Sequence, residues 1–112
     1  MIIHLSPVRR DETLEVVRDG LILTVNGEDF DFTSMLEGST LPLAAIASDW
    51  FAGDVDMQGG ELTLTLLLPL PANYSQEQAF PKPLLDVPDG LVIFPQPLPD
   101  AVVETAIRRG SN

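Results

Sequence analysis

The sequence contains no cysteine and only one histidine, His4. Without cysteine there is no disulfide framework, no thiol nucleophile and no thiolate metal site. A catalytic triad would have to use His4, which lies between Ile3 and Leu5, and no Gly-x-Ser-x-Gly motif accompanies it. Zinc sites need several Cys or His ligands, so they are excluded as well. We therefore expect neither enzyme activity nor a cofactor.

Basic residues are also scarce, with six Lys and Arg against 17 Asp and Glu and a net charge of −11. Between Asp19 and Glu104 the only base is Lys82. Nucleic acids bind to surfaces whose Lys and Arg displace counterions from phosphates, so nucleic acid is not an expected partner. The acidic charge is explained most simply by solubility, and a basic protein surface is the alternative explanation.

Long hydrophobic runs are missing too. The longest apolar stretch, residues 66–70, contains Pro69 and is far shorter than the ~20 residues of a membrane span. The apolar run at residues 1–7 is too short for a signal peptide, and Arg9 and Arg10 follow it instead of preceding it. We expect neither membrane insertion nor secretion, which leaves the cytoplasm.

Two tight turn dipeptides, Asp19-Gly20 and Asn26-Gly27, divide residues 13–33 into segments of alternating apolar and polar side chains. Such two-residue turns need positive φ, which Asn, Asp and Gly tolerate best. The pattern predicts a three-stranded meander over residues 13–18, 21–25 and 28–33. Val17 and Ile22 are apolar exceptions on its outer face, where another element could cover them. By alternation, the predicted core positions are Leu14, Val16, Leu21, Leu23, Val25, Phe30 and Phe32.

A second hairpin is predicted over residues 50–68, with Gly59-Gly60 at its turn. Pro69 is expected to end it, because proline has no N–H for the ladder. Residues 2–5 are predicted as a further short strand that ends at Pro7. The side chains predicted to share one face of the second hairpin are Leu62, Leu64, Leu66 and Leu68.

One short helix is predicted near residues 42–48, where Thr40 is a suitable N-cap and Pro42 fits the first turn. Eight of the ten prolines fall within residues 69–99, which predicts extended segments without regular helix. Within that stretch Asp89-Gly90 is expected to turn one more short hairpin. Helical preferences predict a short helix or tail for residues 100–112.

Together these patterns predict a single, mostly β domain with a minor helical part, built from an antiparallel meander and hairpins. Residues 1–69 form its β-rich core, and the Pro-rich residues 70–99 pack as an extended segment on the domain or on a partner. The apolar fraction of 45% and the charged fraction of 21% are those of a globular protein.

Aromatic residues make up only 6% of the chain, yet they are the side chains most enriched at binding interfaces. The candidate interaction residues are Trp50, Phe51, Tyr74, Phe80 and Phe94. An alternative for Trp50 and Phe51 is that they anchor the start of a strand on the core.

The acidic pairs Asp29 with Asp31 and Asp54 with Asp56 offer hard oxygen ligands, but the EF-hand spacing is absent. The simpler interpretation of alternating Asp residues is the solvated face of a strand, and not a calcium site. No metal ligands are therefore assigned.

Three stretches resemble small proteins that are encoded among the tail genes of tailed phages and prophages of Gram-negative bacteria. They are residues 1–14 with Met1-Ile2-Ile3-His4-Leu5-Ser6-Pro7, residues 23–32 with Leu23-Thr24-Val25-Asn26-Gly27, and residues 62–69 with Leu62-Thr63-Leu64-Thr65-Leu66. The resemblance covers about residues 1–95 and is a pattern of strands and turns. It implies a tail component or an assembly factor and assigns no catalytic or ligand residues.

The resulting hypothesis is a non-enzymatic, phage-tail-associated structural or assembly protein that acts through protein–protein contacts. Its expected partners are other tail proteins or a second copy of itself, because an open meander leaves edges that can pair. It is expected in the host cytoplasm, with incorporation in the virion as an alternative. A different hypothesis is a small carbohydrate- or calcium-binding module that uses Trp50, Tyr74 and the acidic pairs.

Overall fold

The computed structural model describes residues 1–99, which fold into two four-stranded sheets. Sheet A has the strand order β1-β7-β6-β5, and sheet B has the order β4-β3-β2-β8. The strands of sheet A are β1 (Ile2–Arg9), β5 (Thr40–Leu41), β6 (Val55–Gln58) and β7 (Glu61–Leu70). Those of sheet B are β2 (Val16–Asp19), β3 (Ile22–Val25), β4 (Glu28–Asp31) and β8 (Gly90–Leu91).

The predicted mostly β fold is thus confirmed, with a short helix α1 (Gln76–Ala79) and a 3₁₀ turn (Leu43–Ala45) as its helical part. The buried residues of both sheets belong to one hydrophobic cluster. The helix or tail predicted for residues 100–112 lies outside the described residues. Within residues 1–99, neither helical element has the length and apolar character needed to cross a membrane.

Sheet B contains the predicted meander. Asn26 and Gly27 form its second turn, with φ of 47° and 85°, as a type I′ turn requires. The first turn is shifted by one residue: Asp19 pairs with Ile22, so Gly20 and Leu21 form the turn instead of Asp19-Gly20. Gly20 has φ 61° and fits the first central position of a type II′ turn. Glycine fits the second central position of a type I′ turn and the first central position of a type II′ turn. The Asp19-Gly20 dipeptide alone therefore did not decide whether the turn is Asp19-Gly20 or Gly20-Leu21.

All seven predicted core positions of the meander face inward. The fully buried ones are Val16, Leu23, Val25 and Phe32, and those partly buried against the same cluster are Leu14, Leu21 and Phe30. Alternation along the strands therefore assigned the inner face of sheet B correctly.

Sheet A confirms the second hairpin, since Gln58 pairs with Glu61 across Gly59-Gly60. The Glu37 carboxylate accepts hydrogen bonds from both glycine N–H groups and fixes this turn. Sheet A also contains a pairing that the sequence did not predict, in which the edge strand β1 runs parallel to β7 with Ile2 opposite Thr63. The four leucines that were expected on one face are all buried: Leu62, Leu64, Leu66 and Leu68.

Both strands continue through the prolines that were expected to end them. Ile3 exchanges hydrogen bonds of 3.0 and 2.8 Å with Leu84 on the outer side of β1. By alternation the nitrogen of Pro7 also points to that outer side, where β1 has no continuous partner strand. Leu67 N–H bonds to Trp50 on the side of β7 away from β1, so Pro69 likewise needs no N–H towards β1.

The Pro-rich segment, residues 70–99, packs on the domain itself. Leu84 pairs with Ile3 of sheet A, whereas β8 pairs with β2 of sheet B. The hairpin expected around Asp89-Gly90 is therefore wrong, because its two arms pair with strands of different sheets. Val87 and Val92 are buried in the common cluster, so this segment completes the core.

The two helical elements also differ from expectation. The helix predicted near residues 42–48 is a single 3₁₀ turn, because Pro42 and Ile46 on either side are extended and Ile46 is buried. Conversely, α1 lies in the segment predicted to have no regular helix. It is held by a capping box in which Ser75 accepts from the Gln78 backbone at 3.2 Å and Gln78 accepts from the Ser75 backbone at 3.1 Å. The Ser-x-x-Gln pattern was the available signal.

Replacement of Val92 tests whether the Pro-rich segment belongs to the core. We expect Val92→Ala to lower the free energy of unfolding by about 2 kcal/mol, because buried apolar volume is lost from a packed cluster. Leu98→Ala, at an exposed position of the same segment, is the matched control and should change it by less than about 0.5 kcal/mol. Urea unfolding followed by Trp50 fluorescence measures both variants. An unchanged midpoint for Val92→Ala would show that the segment lies outside the cooperative unit.

Candidate interaction surface

Phe51 is not available for recognition, because its side chain is only 4% exposed. Its ring contacts Phe30 and Phe32 edge-on, with centroid distances of 5.1 and 6.1 Å. Such edge-to-face contacts stabilise a core beyond the area they bury. The prediction that Phe51 belongs to an interaction surface is therefore wrong, and the alternative that it anchors the chain on the core is correct.

Trp50 is half-buried and its ring is already in contact with a cation. The Arg10 guanidinium lies 4.8 Å from the ring centroid, within the range of a cation–π interaction. The backbone of Trp50 also bonds to Leu67 of β7 at 2.8 Å. Arg10 thus covers one face of the ring, and the side chain also packs against the hydrophobic cluster, which leaves little of the ring for a sugar or a partner side chain.

The other three aromatic residues lie along the Pro-rich segment. Tyr74 and Phe80 are exposed on either side of α1, whereas Phe94 is half-buried and packs against the core. With Phe51 in the core and Trp50 beneath Arg10, the five predicted residues do not form one surface.

The four acidic residues that were considered for calcium each accept a hydrogen bond from the protein. The donors are Thr24 for Asp29, Thr33 for Asp31, Leu43 for Asp54 and Thr40 for Asp56. Within residues 1–99, no group of three or more His, Asp or Glu side chains converges on a point that a metal ion could occupy. The acidic pairs thus serve to hold strands and loops in place.

The feature that sequence reasoning missed lies on the outer face of sheet B. Val92 is buried, so its neighbours Leu91 and Ile93 point to the opposite face, where they are 54% and 73% exposed. Leu91 lies directly opposite Val17, which is exposed among the described residues 1–99. Val17 and Ile22 were recognised in the sequence as apolar exceptions on this face, and they were the available signal for the surface.

A groove of about 260 Å³ runs along β8 between that strand and the preceding residues. Leu85, which is 65% exposed, forms part of its wall. We refer to it as the β8 groove; its lining residues are Pro83, Leu84, Leu85, Val87, Pro88, Leu91, Val92 and Ile93. None of these side chains is charged or carries a hydrogen-bonding group, so the groove can recognise only apolar side chains and backbone.

Acidic residues outnumber basic ones around this apolar surface, where Lys82 precedes Pro83 of the groove wall. Asp86 and Asp89 lie within the loop that forms one side of the β8 groove, and both are exposed. By strand alternation, Asp19, Asp29 and Asp31 share the outer face of sheet B with Val17. Arg18 lies 3.6 Å from Asp89 and donates to the Val87 carbonyl, which ties the groove to β2.

A second groove, of about 270 Å³, lies where the end of the Pro-rich segment crosses β7 and α1. Phe94, Leu68 and several prolines line it, together with the buried side chain of Gln78. Gln78 Oε1 is engaged in the capping box, and within residues 1–99 no acceptor bonds to Nε2. The two arginine pairs at its rim, Arg9 with Asp11 and Arg10 with Glu12, neutralise the local acidic charge.

The acidic outer face of sheet B contains one carboxylate with a perturbed pKa. The hydroxyl of Thr33, and then its backbone N–H, hold the pKa of Asp31 below its ordinary value. Because these bonds favour the charged form in the folded state, their stabilisation is present above the unfolded pKa of about 4 and is lost as the pH falls through the folded pKa.

We expect Thr33→Val to raise the pKa of Asp31, because the hydroxyl donor is removed. The control Thr24→Val removes the corresponding bond to Asp29 at 2.6 Å and should leave the pKa of Asp31 unchanged. Side-chain carboxyl NMR shifts followed between pH 2 and pH 6 measure both. If Asp31 titrates at the same pH in Thr33→Val and in the wild type, the assigned cause is wrong.

Comparisons with protein-family models, with curated proteins and with solved structures find no match to this chain.

Proposed function

We propose that this protein is a non-enzymatic binding protein that holds another protein on the β8 groove and the adjoining outer face of sheet B. The observation that carries the proposal is the exposure of Leu85, Leu91 and Ile93 in one groove. Contiguous apolar surface of this kind, bordered by charged residues, is characteristic of protein-binding sites. A protein partner is favoured because the groove has no polar side chain with which to orient a small molecule.

The resemblance to tail-region proteins of phages and prophages supplies the biological class in this proposal. The protein would be a tail component or an assembly factor, with other tail proteins as its partners, in the host cytoplasm or in the virion. The net charge of −11 supports a protein partner over nucleic acid, because phosphate backbones are repelled by such a surface.

Catalysis and ligand binding of other kinds have less support. His4 is exposed on β1, and the carboxylates proposed as calcium ligands are engaged with the protein's own hydroxyl and N–H groups. Arg10 covers one face of the Trp50 ring, and the half-buried side chain also packs against the core.

The proposal is tested by co-expressing the tagged protein with the products of its neighbouring genes. We expect one tail protein to copurify with the wild type, and we expect Leu91→Ser combined with Ile93→Ser to abolish that copurification. The matched control is Leu36→Ser, since Leu36 is 76% exposed but belongs to the loop between β4 and β5 and is not among the residues that line the β8 groove. Circular dichroism checks that all variants are folded.

Retention of the partner by the double variant would place the binding site elsewhere. Neighbouring genes of metabolic function, with no copurifying tail protein, would overturn the tail assignment itself.

A further inference from the structure

The backbone of β8 presents free hydrogen-bonding groups along the β8 groove. Val92 N–H donates to the Val16 carbonyl at 2.9 Å, and Gly90 lies opposite Arg18. In an antiparallel pair, alternate residues direct their backbone groups to opposite edges. The N–H and C=O groups of Leu91 and Ile93 therefore point away from β2, and within residues 1–99 no backbone hydrogen bond outside the regular helices and strands involves them.

The other sheet edges are protected against pairing in ways that β8 is not. The edge strand β4 carries Glu28, Asp29 and Asp31, and such charges discourage edge-to-edge association. The outer edge of β1 is occupied at Ile3 by Leu84 and interrupted by Pro7. β5 has two residues, as β8 has, but Pro42 follows β5 directly, whereas the pairing beside β2 continues past β8 to Val92. The edge formed by β8 and its continuation to Ile93 has neither a charge nor a proline at positions 91–93.

Free backbone groups and apolar walls on the same groove are the two requirements for adding a strand. We propose that an extended segment of a partner protein pairs with Leu91 and Ile93 and becomes a fifth strand of sheet B. Its alternate apolar side chains enter the β8 groove beside Leu85. The inference rests on the proposed function for the location of the site, and it adds the binding mode and the chemistry of the partner.

Charge determines which segment fits. Asp86 and Asp89 lie beside the groove, and Asp19 lies on the face next to it. Two basic residues are also near, Lys82 beside Pro83 of the groove wall and Arg18, which pairs with Asp89, so the acidic residues exceed the basic ones. The partner strand therefore carries Lys or Arg among its apolar residues. A second copy of this chain is disfavoured, because a symmetric pairing of two β8 strands brings Asp86 and Asp89 of both copies together.

Two substitutions at one position separate strand addition from simple apolar contact. Ile93→Pro removes the outward N–H while leaving the bond from Val92 to Val16 intact, and Ile93→Thr keeps the N–H and the β-branched shape. A ten-residue synthetic peptide of alternating valine and lysine is the ligand, and its dissociation constant is measured by NMR titration. We expect Ile93→Pro to weaken binding by at least about tenfold relative to Ile93→Thr, since a backbone bond is lost and the proline ring obstructs the edge.

Hydrogen exchange in the wild type gives an independent measurement. The amide protons of Leu91 and Ile93 should exchange rapidly in the free protein and become protected when the valine–lysine peptide is bound. The matched peptide with glutamate in place of lysine should bind at least about tenfold more weakly at low salt, and the difference should shrink at high salt.

Equal binding by Ile93→Pro and Ile93→Thr, or unprotected Leu91 and Ile93 amides in the complex, would overturn strand addition. In that case the copurification experiment decides about the proposed function. If the tail protein copurifies with the wild type but not with the Leu91→Ser, Ile93→Ser double variant, the proposed function stands and only the binding mode is wrong. Equal binding of the lysine and glutamate peptides would overturn the inference that the partner strand carries Lys or Arg.

Discussion

The burial of Val92 against Val16 is the contact on which the candidate surface depends. Val92 enters the common cluster and its N–H bonds to Val16, which fixes the register of β8 on β2. Once that register is fixed, Leu91 and Ile93 must face outward, because neighbouring side chains of a strand point to opposite faces. The same alternation turns their backbone groups to the free edge. Core packing and the exposed apolar surface are thus two consequences of one placement.

The Pro-rich segment is part of the core and also forms the candidate surface. It bonds to the outer edge of β1 through Leu84, contributes Val87 to the core and then joins sheet B as β8. Prolines lack an N–H and resist helix and central strand, so a segment rich in them crosses between two sheets without forming a hairpin. Arg18 secures the crossing through the Val87 carbonyl and Asp89.

Local signals predicted much of the fold and little of the site. Asn26-Gly27 and Gly59-Gly60 identified their turns because positive φ is a property of the residues themselves. The alternating leucines of β7 identified a buried face, because every second side chain of a strand points to the same side of the sheet. The Ser-x-x-Gln signal of α1 was present in the sequence but was missed, because the prolines around it predicted a segment without regular helix. The aromatic residues were misleading, because Phe51 fills the core and Arg10 covers Trp50.

The sequence by itself determined the strand-rich class, the hairpin turns, the inner face of the meander and the acidic charge, all of which depend on residues close together in the chain. Only the tertiary structure decided that β1 lies parallel to β7 and that β8 joins β2. Those pairings connect residues distant in sequence, so no local pattern encodes them. In the apolar run Leu91-Val92-Ile93-Phe94, every residue is equally suited to burial. The pairing of β8 with β2 decides that Val92 is buried and that Leu91 and Ile93 remain available to a partner.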